Sequence, residues 1–337
     1  MVMAGVITRP AVFGAVSTRV RRAMDVIFHI GAHRTASTSF QAYLRDNGAA
    51  LARQGVGIWD PRRTRGGVFA GIWPEAEVLP RRDGPARAAG RIALALQTEA
   101  RSGHHSLIVS DENVIGPPRA GIRAGALYPA AGERLARLAA AVQGRMTHAV
   151  LSIRSPDAYW TSLIAMTAAR GRPLPGPHRL QALVDSPRTW RDVITDVACA
   201  LPDVPLLVMP HEVFGAVPER RLAAMLPTPI DAPRLHARRR LNAAPGLPQL
   251  RASLALAGRD TAHLPTGDGA FMPFTRAQAA RLQESYADDL FWLHAGADGL
   301  ARLITGKSPG AEGKTPTPDQ TERGHDDGRQ GRVAQAG

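Results

Sequence analysis

The sequence predicts an α/β fold in which a central parallel sheet is flanked by helices in a three-layer arrangement. Short apolar runs alternate with longer amphipathic segments, and each run is rich in Val, Ile or Leu and ends where glycine or polar residues begin. This alternation is the pattern of βαβ units, which build parallel sheets covered by helices. The composition, with 44% hydrophobic and 21% charged residues, is that of a globular protein.

The apolar runs and the amphipathic segments place the individual elements. Strands are predicted at Val26–Ile30, Ser106–Ser110, Ala149–Ile153 and Leu206–Met209, with Val56–Trp59 as a fifth. Helices are predicted at Ser37–Gln54, Arg87–Arg101, Gly132–Gln143, Asp157–Arg170, Arg188–Ala200, Pro218–Leu226 and Thr275–Ala295. Residues 60–86 and 171–187 are rich in Pro, Gly and Arg and are predicted to be loops over the sheet edge, where acceptor-binding loops often lie.

The two ends of the chain differ in composition from the part between them. Residues 1–24 contain four arginines and no acidic residue, which predicts a basic flexible arm, with a targeting peptide as the alternative. Residues 306–337 are almost free of apolar side chains and are predicted to be disordered. A single α/β domain is therefore expected over residues 25–305. No stretch reaches the roughly 20 apolar residues of a membrane-spanning helix.

The charged residues and the cysteine count limit the chemistry. Lys and Arg total 42 against 29 acidic residues, and the only lysines are Lys307 and Lys314. Anion binding before position 307 must therefore use arginine side chains and backbone N–H groups. The single Cys199 excludes an intrachain disulfide and a cysteine-based zinc site. A reducing, cytoplasmic location is the expectation.

The segment Asp25–Leu44 predicts an anion-binding loop. It reads as an apolar strand, a small-residue turn from Gly31 onward and an amphipathic helix. Backbone N–H groups around Thr35–Ser39 would then point at an anion, assisted by the helix dipole and the hydroxyl groups. The alternative is a helix whose own first turn is capped by Thr35 or Ser37. The segment is not a Walker A loop, because the required Gly-Lys pair is missing, but it indicates a fold of P-loop type.

A second spacing supports an anion site. Arg154 directly follows a predicted strand, and Ser162 lies eight residues later, two turns into the next helix. Pro156 suits the first turn of that helix. Arg154 and Ser162 could therefore bind one phosphate at the carboxyl edge of the sheet. The alternative is a solvent-exposed arginine and serine.

These two motifs, in this order, resemble those of the PAPS-dependent sulfotransferase family, and the similarity to its bacterial members spans about residues 24–297. The family's loop, close to Pro-Lys-Ser/Thr-Gly-Thr-Thr, aligns with His33, Arg34, Thr35, Ala36, Ser37 and Thr38. Two positions depart from the family pattern. Ala36 replaces the glycine, which is conservative if its backbone is helical. Arg34 replaces the lysine and cannot release a proton.

The resemblance implies a reaction and a division of roles. A sulfuryl group would pass from 3′-phosphoadenosine 5′-phosphosulfate (PAPS) to a hydroxyl or amine, without a metal, releasing 3′-phosphoadenosine 5′-phosphate (PAP). Arg34 would stabilise the transferring group, and Arg154 with Ser162 would hold the 3′-phosphate. Arg240, in a late basic cluster, is a weaker candidate for that phosphate. The residues expected to surround the 5′-phosphate are Gly31, Arg34, Thr35, Ala36, Ser37 and Thr38.

The resemblance also implies a catalytic base, which in this family is a histidine or a glutamate. Glu112 follows the strand ending at Ser110 and would reach the same sheet edge as the loop, so it is the predicted base. The alternative for Glu112 is a carboxylate that only orders a loop. His33 is a second candidate. His104 and His105 are poorer ones, because they precede the strand.

Two other functions remain open at the level of sequence. The string LIVSDE also resembles a Walker B strand, with Asp111 on Mg²⁺ and Glu112 activating water in a kinase or ATPase. The absence of a loop lysine argues against this function. The pI near 11.2 suggests non-catalytic binding of a polyanion, but the arginines are dispersed, so nucleic acid is not expected as a partner. The acceptor could be a carbohydrate, a lipid or a small alcohol, and the oligomeric state is not indicated.

Overall fold

A computed structural model describes residues 24–73, 83–262 and 264–306, which belong to one compact unit ending at Gly306. Its centre is a six-stranded, all-parallel sheet in the order β2-β3-β1-β4-β5-β6. The strands are β1 Asp25–His29, β2 Val56–Trp59, β3 Ser106–Ser110, β4 His148–Ile153, β5 Leu206–Pro210 and β6 Arg302–Leu303. The predicted N-terminal arm up to residue 23 and the predicted tail from residue 307 lie outside the described residues.

Helices cover both faces of the sheet, so the predicted three-layer α/β fold is confirmed. A π-helical turn at Thr64–Val68 and 3₁₀ turns at Glu112–Ile115 and Ala297–Gly299 complete the described elements. The helices are α1 Ser37–Asp46, α2 Gly48–Arg53, α3 Pro61–Arg63, α4 Gly84–Arg101, α5 Pro118–Ala124, α6 Ala131–Val142, α7 Pro156–Ala168, α8 Pro177–Val184, α9 Trp190–Ala200, α10 His211–Phe214, α11 Pro218–Met225, α12 Leu247–Leu256 and α13 Arg276–His294.

Successive residues of each central strand enter opposite cores, as the pleat of a strand requires. In β1, Val26 and Phe28 lie in the larger core with side chains of α4, α6, α7, α9 and α13. Ile27 lies in the smaller core with side chains of α1, α2 and α11. Burial on both faces explains why these strands are continuous apolar runs in the sequence.

The strand order creates a switch point between β1 and β4. The chain leaves β1 toward β2 on one side of the sheet, whereas it leaves β4 toward β5 on the other side. In open α/β sheets, ligands bind at the carboxyl ends of the strands at such a point. Because all six strands are parallel, the residues that follow β1, β3, β4 and β5 meet at this one edge.

One predicted helix and two segments predicted to be loops needed correction. The helix predicted at Ser37–Gln54 is two helices, separated at Asn47, whose buried side-chain amide donates to the carbonyl groups of Tyr43 and Leu235. The range 171–187 contains α8, and 60–86 contains α3, the π-helical turn and the start of α4. The helices α5, α10 and α12 and the two-residue edge strand β6 were not predicted.

Among the residues that the structure describes, no helix has both the length and the apolar character needed to cross a bilayer.

Candidate functional site

The loop between β1 and α1 has the backbone conformation of an anion-binding loop. Arg34 and Ala36 both have left-handed dihedral angles, with φ of 64° and 63°, whereas Thr35 between them does not. Such an alternation turns successive N–H groups toward one concavity. Ala36 is therefore not helical, so its replacement of the family's glycine is not conservative: an L side chain in this region costs about 1–2 kcal/mol.

The first turn of α1 presents unpaired amide groups. The first helical bond runs from Phe40 N–H to the carbonyl of Ala36 at 3.0 Å, and Ala36 has no side chain that could cap the helix. Within the described part of the chain, the N–H groups of Ser37, Thr38 and Ser39 have no hydrogen-bond acceptor. The positive end of the α1 dipole is thus open to an anion.

The hydroxyl groups of the loop order the loop itself. Thr35 Oγ1 donates to the carbonyl of Ala32 at 2.6 Å, and Ser37 Oγ donates to the same oxygen at 3.4 Å. Both side chains are buried. The self-capped helix considered as the alternative is therefore not observed, because neither hydroxyl accepts from the first-turn amides. The donors that face a ligand are backbone N–H groups rather than these two hydroxyls.

The second predicted motif meets the first at the switch point. Arg34 Nε donates to the buried Ser162 Oγ at 2.8 Å, and Arg154 Nη1 donates to the carbonyl of Arg34 at 2.9 Å. Among the described residues, neither arginine pairs with a carboxylate within ion-pair distance. Burial, then the charges of Arg154 and Arg170, lower the pKa of Arg34. Burial also lowers the pKa of Arg154, against the nearby charges of Glu212 and Asp157, so the two guanidinium groups lie close together without a directly paired carboxylate.

Leu241 and Asn242, from a segment much later in the chain, contact the start of α1. Asn242 accepts from Arg34 Nη2 through its carbonyl at 2.7 Å, and its side-chain amide donates to Thr38 Oγ1 at 3.2 Å. Leu241 N–H donates to Ser39 Oγ at 2.8 Å. Arg240 is exposed, and no hydrogen bond or ion pair is described for it. The sequence singled out Arg240, whereas the structure brings its neighbour Asn242 to the loop.

The carboxylates that follow β3 are engaged by Arg65. Arg65 Nη2 lies 2.6 Å from Asp111 Oδ1 and 3.0 Å from Glu112 Oε1. Gln41 Nε2 donates to the other oxygen of Glu112 at 2.7 Å. Burial alone would raise the pKa of Glu112, but Arg65 and Gln41 outweigh it, so this pKa is lowered. Glu112 is ionised at neutral pH, and both of its oxygens are bonded.

The predicted histidine alternatives lie in two different places. His33 is buried in the loop, where its Nδ1 lies 2.9 Å from the Tyr128 hydroxyl and its Nε2 lies 2.9 Å from Asn113 Oδ1. Burial lowers the pKa of His33, so it is neutral, and neither ring nitrogen is free to take a proton. His104 pairs with Glu99 at the amino end of β3, and His105 is beside it, away from the loop.

Sequence reasoning missed His29, which lies under the loop. Its two ring nitrogens contact Ser110 Oγ on β3 at 2.8 Å and Ser152 Oγ on β4 at 3.1 Å. Burial, followed by the charge of Arg221, lowers the pKa of His29 to about 3. A Cβ atom on Gly31 would lie 2.8 Å from His29 Nε2, which explains the glycine. The signal that could have identified His29 is a histidine within an otherwise apolar strand.

Arg221 and His211 are two further residues that were missed. Arg221 lies on α11, is 1% exposed, and donates through Nη2 to the carbonyl of Thr35 at 2.9 Å. His211 follows β5 and interacts with the backbone of Thr35; burial, then Arg154 and Arg221, lower its pKa to about 4. Neither residue was among the predicted site residues.

A cleft of about 340 Å³ lies beside the carboxylates at the end of β3. It has apolar and polar walls and is lined by Thr64, Arg65, Phe69, Ala70, Gly71, Trp73, Asp111, Asn113, Pro117 and Arg134. Asn113 connects this cleft to the loop through its bond with His33.

Comparison of the chain with protein-family models, with curated proteins and with solved structures gave no match. The function is therefore inferred from the residues of the site and their geometry.

Proposed function

We propose that this protein is a sulfotransferase that binds PAPS at the switch point and transfers its sulfuryl group to an acceptor in the adjacent cleft. The observation that supports this most is the meeting of two anion-binding motifs. Arg34 is bonded to both Ser162 and Arg154, and the open amides of α1 begin three residues after it in the chain. A nucleotide with phosphates at both its 5′ and 3′ positions would satisfy both groups of donors.

The roles follow from which donors are open or bonded only to neutral groups. The N–H groups at the start of α1 would hold the 5′-phosphate, and Arg154 with Ser162 would hold the 3′-phosphate. Arg34 would serve both groups, because its guanidinium already lies against Ser162 while its backbone forms the loop. Loss of the Arg34 side chain should therefore reduce nucleotide affinity as well as turnover. A residue that only stabilised the transferring group would affect turnover alone.

The chemical step needs positioning and charge stabilisation. The acceptor oxygen or nitrogen forms a bond to sulfur, the bond between sulfur and the bridging oxygen breaks, and PAP leaves with the electron pair. Open amides and Arg34 stabilise the charge that develops on the leaving phosphate. Glu112 accepts the acceptor's proton in this scheme, and its lowered pKa keeps it ionised at neutral pH.

The cleft lined by Asp111 and Asn113, the two chain neighbours of Glu112, is the proposed acceptor site. Phe69, Trp73 and Pro117 provide an apolar wall, whereas Asn113 and Arg134 provide polar groups. A pocket of this size and character suits a small molecule that carries both a ring and hydroxyl groups. The acceptor's hydroxyl would then lie next to the carboxylates that follow β3.

The contacts of Arg65 argue against a magnesium-dependent kinase or ATPase. A Walker B aspartate would hold Mg²⁺, yet both oxygens of Asp111 already accept from Arg65, and Thr64 Oγ1 donates to one of them at 2.6 Å. A divalent cation would have to displace this guanidinium from a buried carboxylate.

A thermal-shift comparison tests the proposed function. PAP without metal should raise the melting temperature of the full chain, whereas ATP with Mg²⁺ should raise it less. Stabilisation by ATP with Mg²⁺ alone would support the kinase or ATPase instead. A mass-spectrometric search for sulfated products, with PAPS and a panel of sugars and small alcohols, then tests turnover, and Glu112→Gln should lower it without weakening PAP binding.

A further inference from the structure

Arg221 is a buried arginine with an unusual lack of partners. One of its nitrogens, Nη2, donates to the carbonyl of Thr35 at 2.9 Å. Its Nε and Nη1 atoms are buried and have no hydrogen-bond partner among the described residues. Buried polar groups are nearly always hydrogen-bonded. Two unpaired nitrogens next to a candidate site therefore need an explanation.

The surroundings of Arg221 do not neutralise its charge. Its guanidinium carbon lies 5.2 Å from the centre of the Phe40 ring, and no carboxylate within the described residues forms an ion pair with it. The titratable groups that it affects nearby, His29 and His211, have lowered pKa values and are neutral at pH 7. Burial lowers the pKa of Arg221 to about 10, so it is still protonated.

The bond to Thr35 fixes the orientation of one loop peptide. In a trans peptide, the C=O and N–H groups point in opposite directions. Because Arg221 holds the carbonyl of Thr35, the N–H of Ala36 in the same peptide must point away from Arg221. Ala36 is the residue directly before the open amides of α1, and it has the left-handed conformation that the loop requires.

We propose that Arg221 is a positioning residue of the anion site: it holds the Thr35–Ala36 peptide from behind, and its positive charge is compensated when a multivalent anion occupies the loop. In a chain without a lysine before position 307, this buried arginine supplies a fixed positive charge behind the amides. The inference depends on anion binding by the loop and not on PAPS being the ligand.

If Arg221 positions the anion site, its replacement should change anion binding without lowering stability, which a purely structural residue would not do. A buried charge without a counter-ion destabilises the empty protein. Replacing it by an apolar side chain of similar length removes that penalty and costs one hydrogen bond, worth about 1 kcal/mol. The same replacement removes charge from the anion site. Arg221→Met should therefore keep or increase the stability of the ligand-free protein while weakening anion binding.

The experiment uses the full chain and two probes, inorganic pyrophosphate and PAP. Urea unfolding without ligand and calorimetric titration are measured for the wild type, Arg221→Met and Arg221→Lys. In Arg221→Met, the urea midpoint should not fall, and the Kd for pyrophosphate should rise about tenfold or more. Arg221→Lys should keep most of the affinity. Arg53→Met, at an exposed position on α2, removes one charge as the control and should change neither quantity.

The outcomes separate this proposal from the proposed function. A lower urea midpoint with unchanged pyrophosphate affinity in Arg221→Met would overturn it, as would a wild-type chain that binds no pyrophosphate. If Arg221→Met does not fold, Arg221→Lys and Arg221→Gln decide: affinity kept with Lys and lost with Gln supports the proposal, and equal affinities contradict it. Pyrophosphate binding that depends on Arg221, without preference for PAP over ATP, would contradict the sulfotransferase alone.

Discussion

Two sets of arginines at the same edge of the sheet differ in how their charge is balanced. At the ends of β1 and β4, Arg34 and Arg154 bond to a serine and to carbonyl groups, and no described carboxylate pairs with them. At the end of β3, Arg65 is held by Asp111 and Glu112. The residue type is the same in both places. What distinguishes them is whether a carboxylate pairs directly with the guanidinium group.

The difference indicates which arginines can bind a ligand. An arginine whose charge is already paired gains little from an additional anion, and moving it exposes a buried carboxylate. An arginine that is bonded only to neutral groups exchanges those bonds for stronger charge-assisted ones when a phosphate arrives. We therefore interpret Arg34 and Arg154 as ligand-binding residues and Arg65 as a residue that orders the neighbouring carboxylates.

The largest predicted effect of a single substitution at pH 7 concerns Arg65, the arginine that is paired with carboxylates. Arg65→Ala should lower the free energy of unfolding by about 2 kcal/mol, because it leaves the buried Asp111 without its charged partner, although the Arg65 guanidinium is itself partly exposed. Urea unfolding at pH 7 measures this. The calorimetric affinity for PAP should stay within a few-fold of the wild type. A variant as stable as the wild type that no longer binds PAP would reverse the roles given to the two sets.

A second prediction concerns the pH dependence of stability, which two neutral histidines near Arg34 and Arg154 should control. The pKa of His29 is lowered to about 3 and that of His211 to about 4, both by burial first, from an ordinary value of 6.5. Below pH 6.5 the unfolded chain takes up protons that the folded chain does not, so stability falls as the pH falls. Between pH 6.5 and 4, each histidine should contribute up to about 1.4 kcal/mol per pH unit.

Unfolding in urea at pH 7, 6 and 5 measures this slope. His29→Gln removes one titrating group, so it should flatten the dependence even if it lowers stability at every pH. An unchanged slope in the variant would show that His29 titrates in the folded protein as freely as in the unfolded one.

The smallest predicted effect is at the loop backbone. Ala36→Gly removes the strain of an alanine in the left-handed conformation, but it also increases the entropy of the unfolded chain. The free energy of unfolding should rise by about 0.5–1 kcal/mol as a result. Thermal unfolding without ligand checks the sign. Gly31→Ala is a control with the opposite expected sign. Its added Cβ would clash with His29 Nε2, so the substitution should destabilise the protein. Destabilisation by Ala36→Gly would contradict the loop conformation.

The parts of the fold and site that local sequence predicted are those with local causes. Buried parallel strands are continuous apolar runs, so β1 and β3 could be placed to within a residue. The turn of small residues after β1 indicated the loop, and Arg154 was found because it directly follows a strand. The strand order that brings Arg154 to Arg34 comes from pairings between segments far apart in the chain.

The residues that were missed depend on packing between distant segments. Arg220 and Arg221 are neighbours of the same type, yet Arg220 is exposed and Arg221 is buried, because only one of them faces the sheet from α11. Asn242 reaches Arg34 across 208 positions. Arg65 pairs with the predicted base from a segment predicted to be a loop. No local pattern distinguishes these side chains from ordinary polar residues.

The most direct measurement of the central claim is the contribution of the 3′-phosphate to affinity, with and without Arg154. Calorimetric Kd values for PAP and for adenosine 5′-phosphate are compared in the wild type and in Arg154→Ala. We predict that the wild type prefers PAP by about tenfold or more, that Arg154→Ala loses most of this preference, and that its affinity for adenosine 5′-phosphate changes little. An equal preference in both proteins, or none in the wild type, would contradict the account.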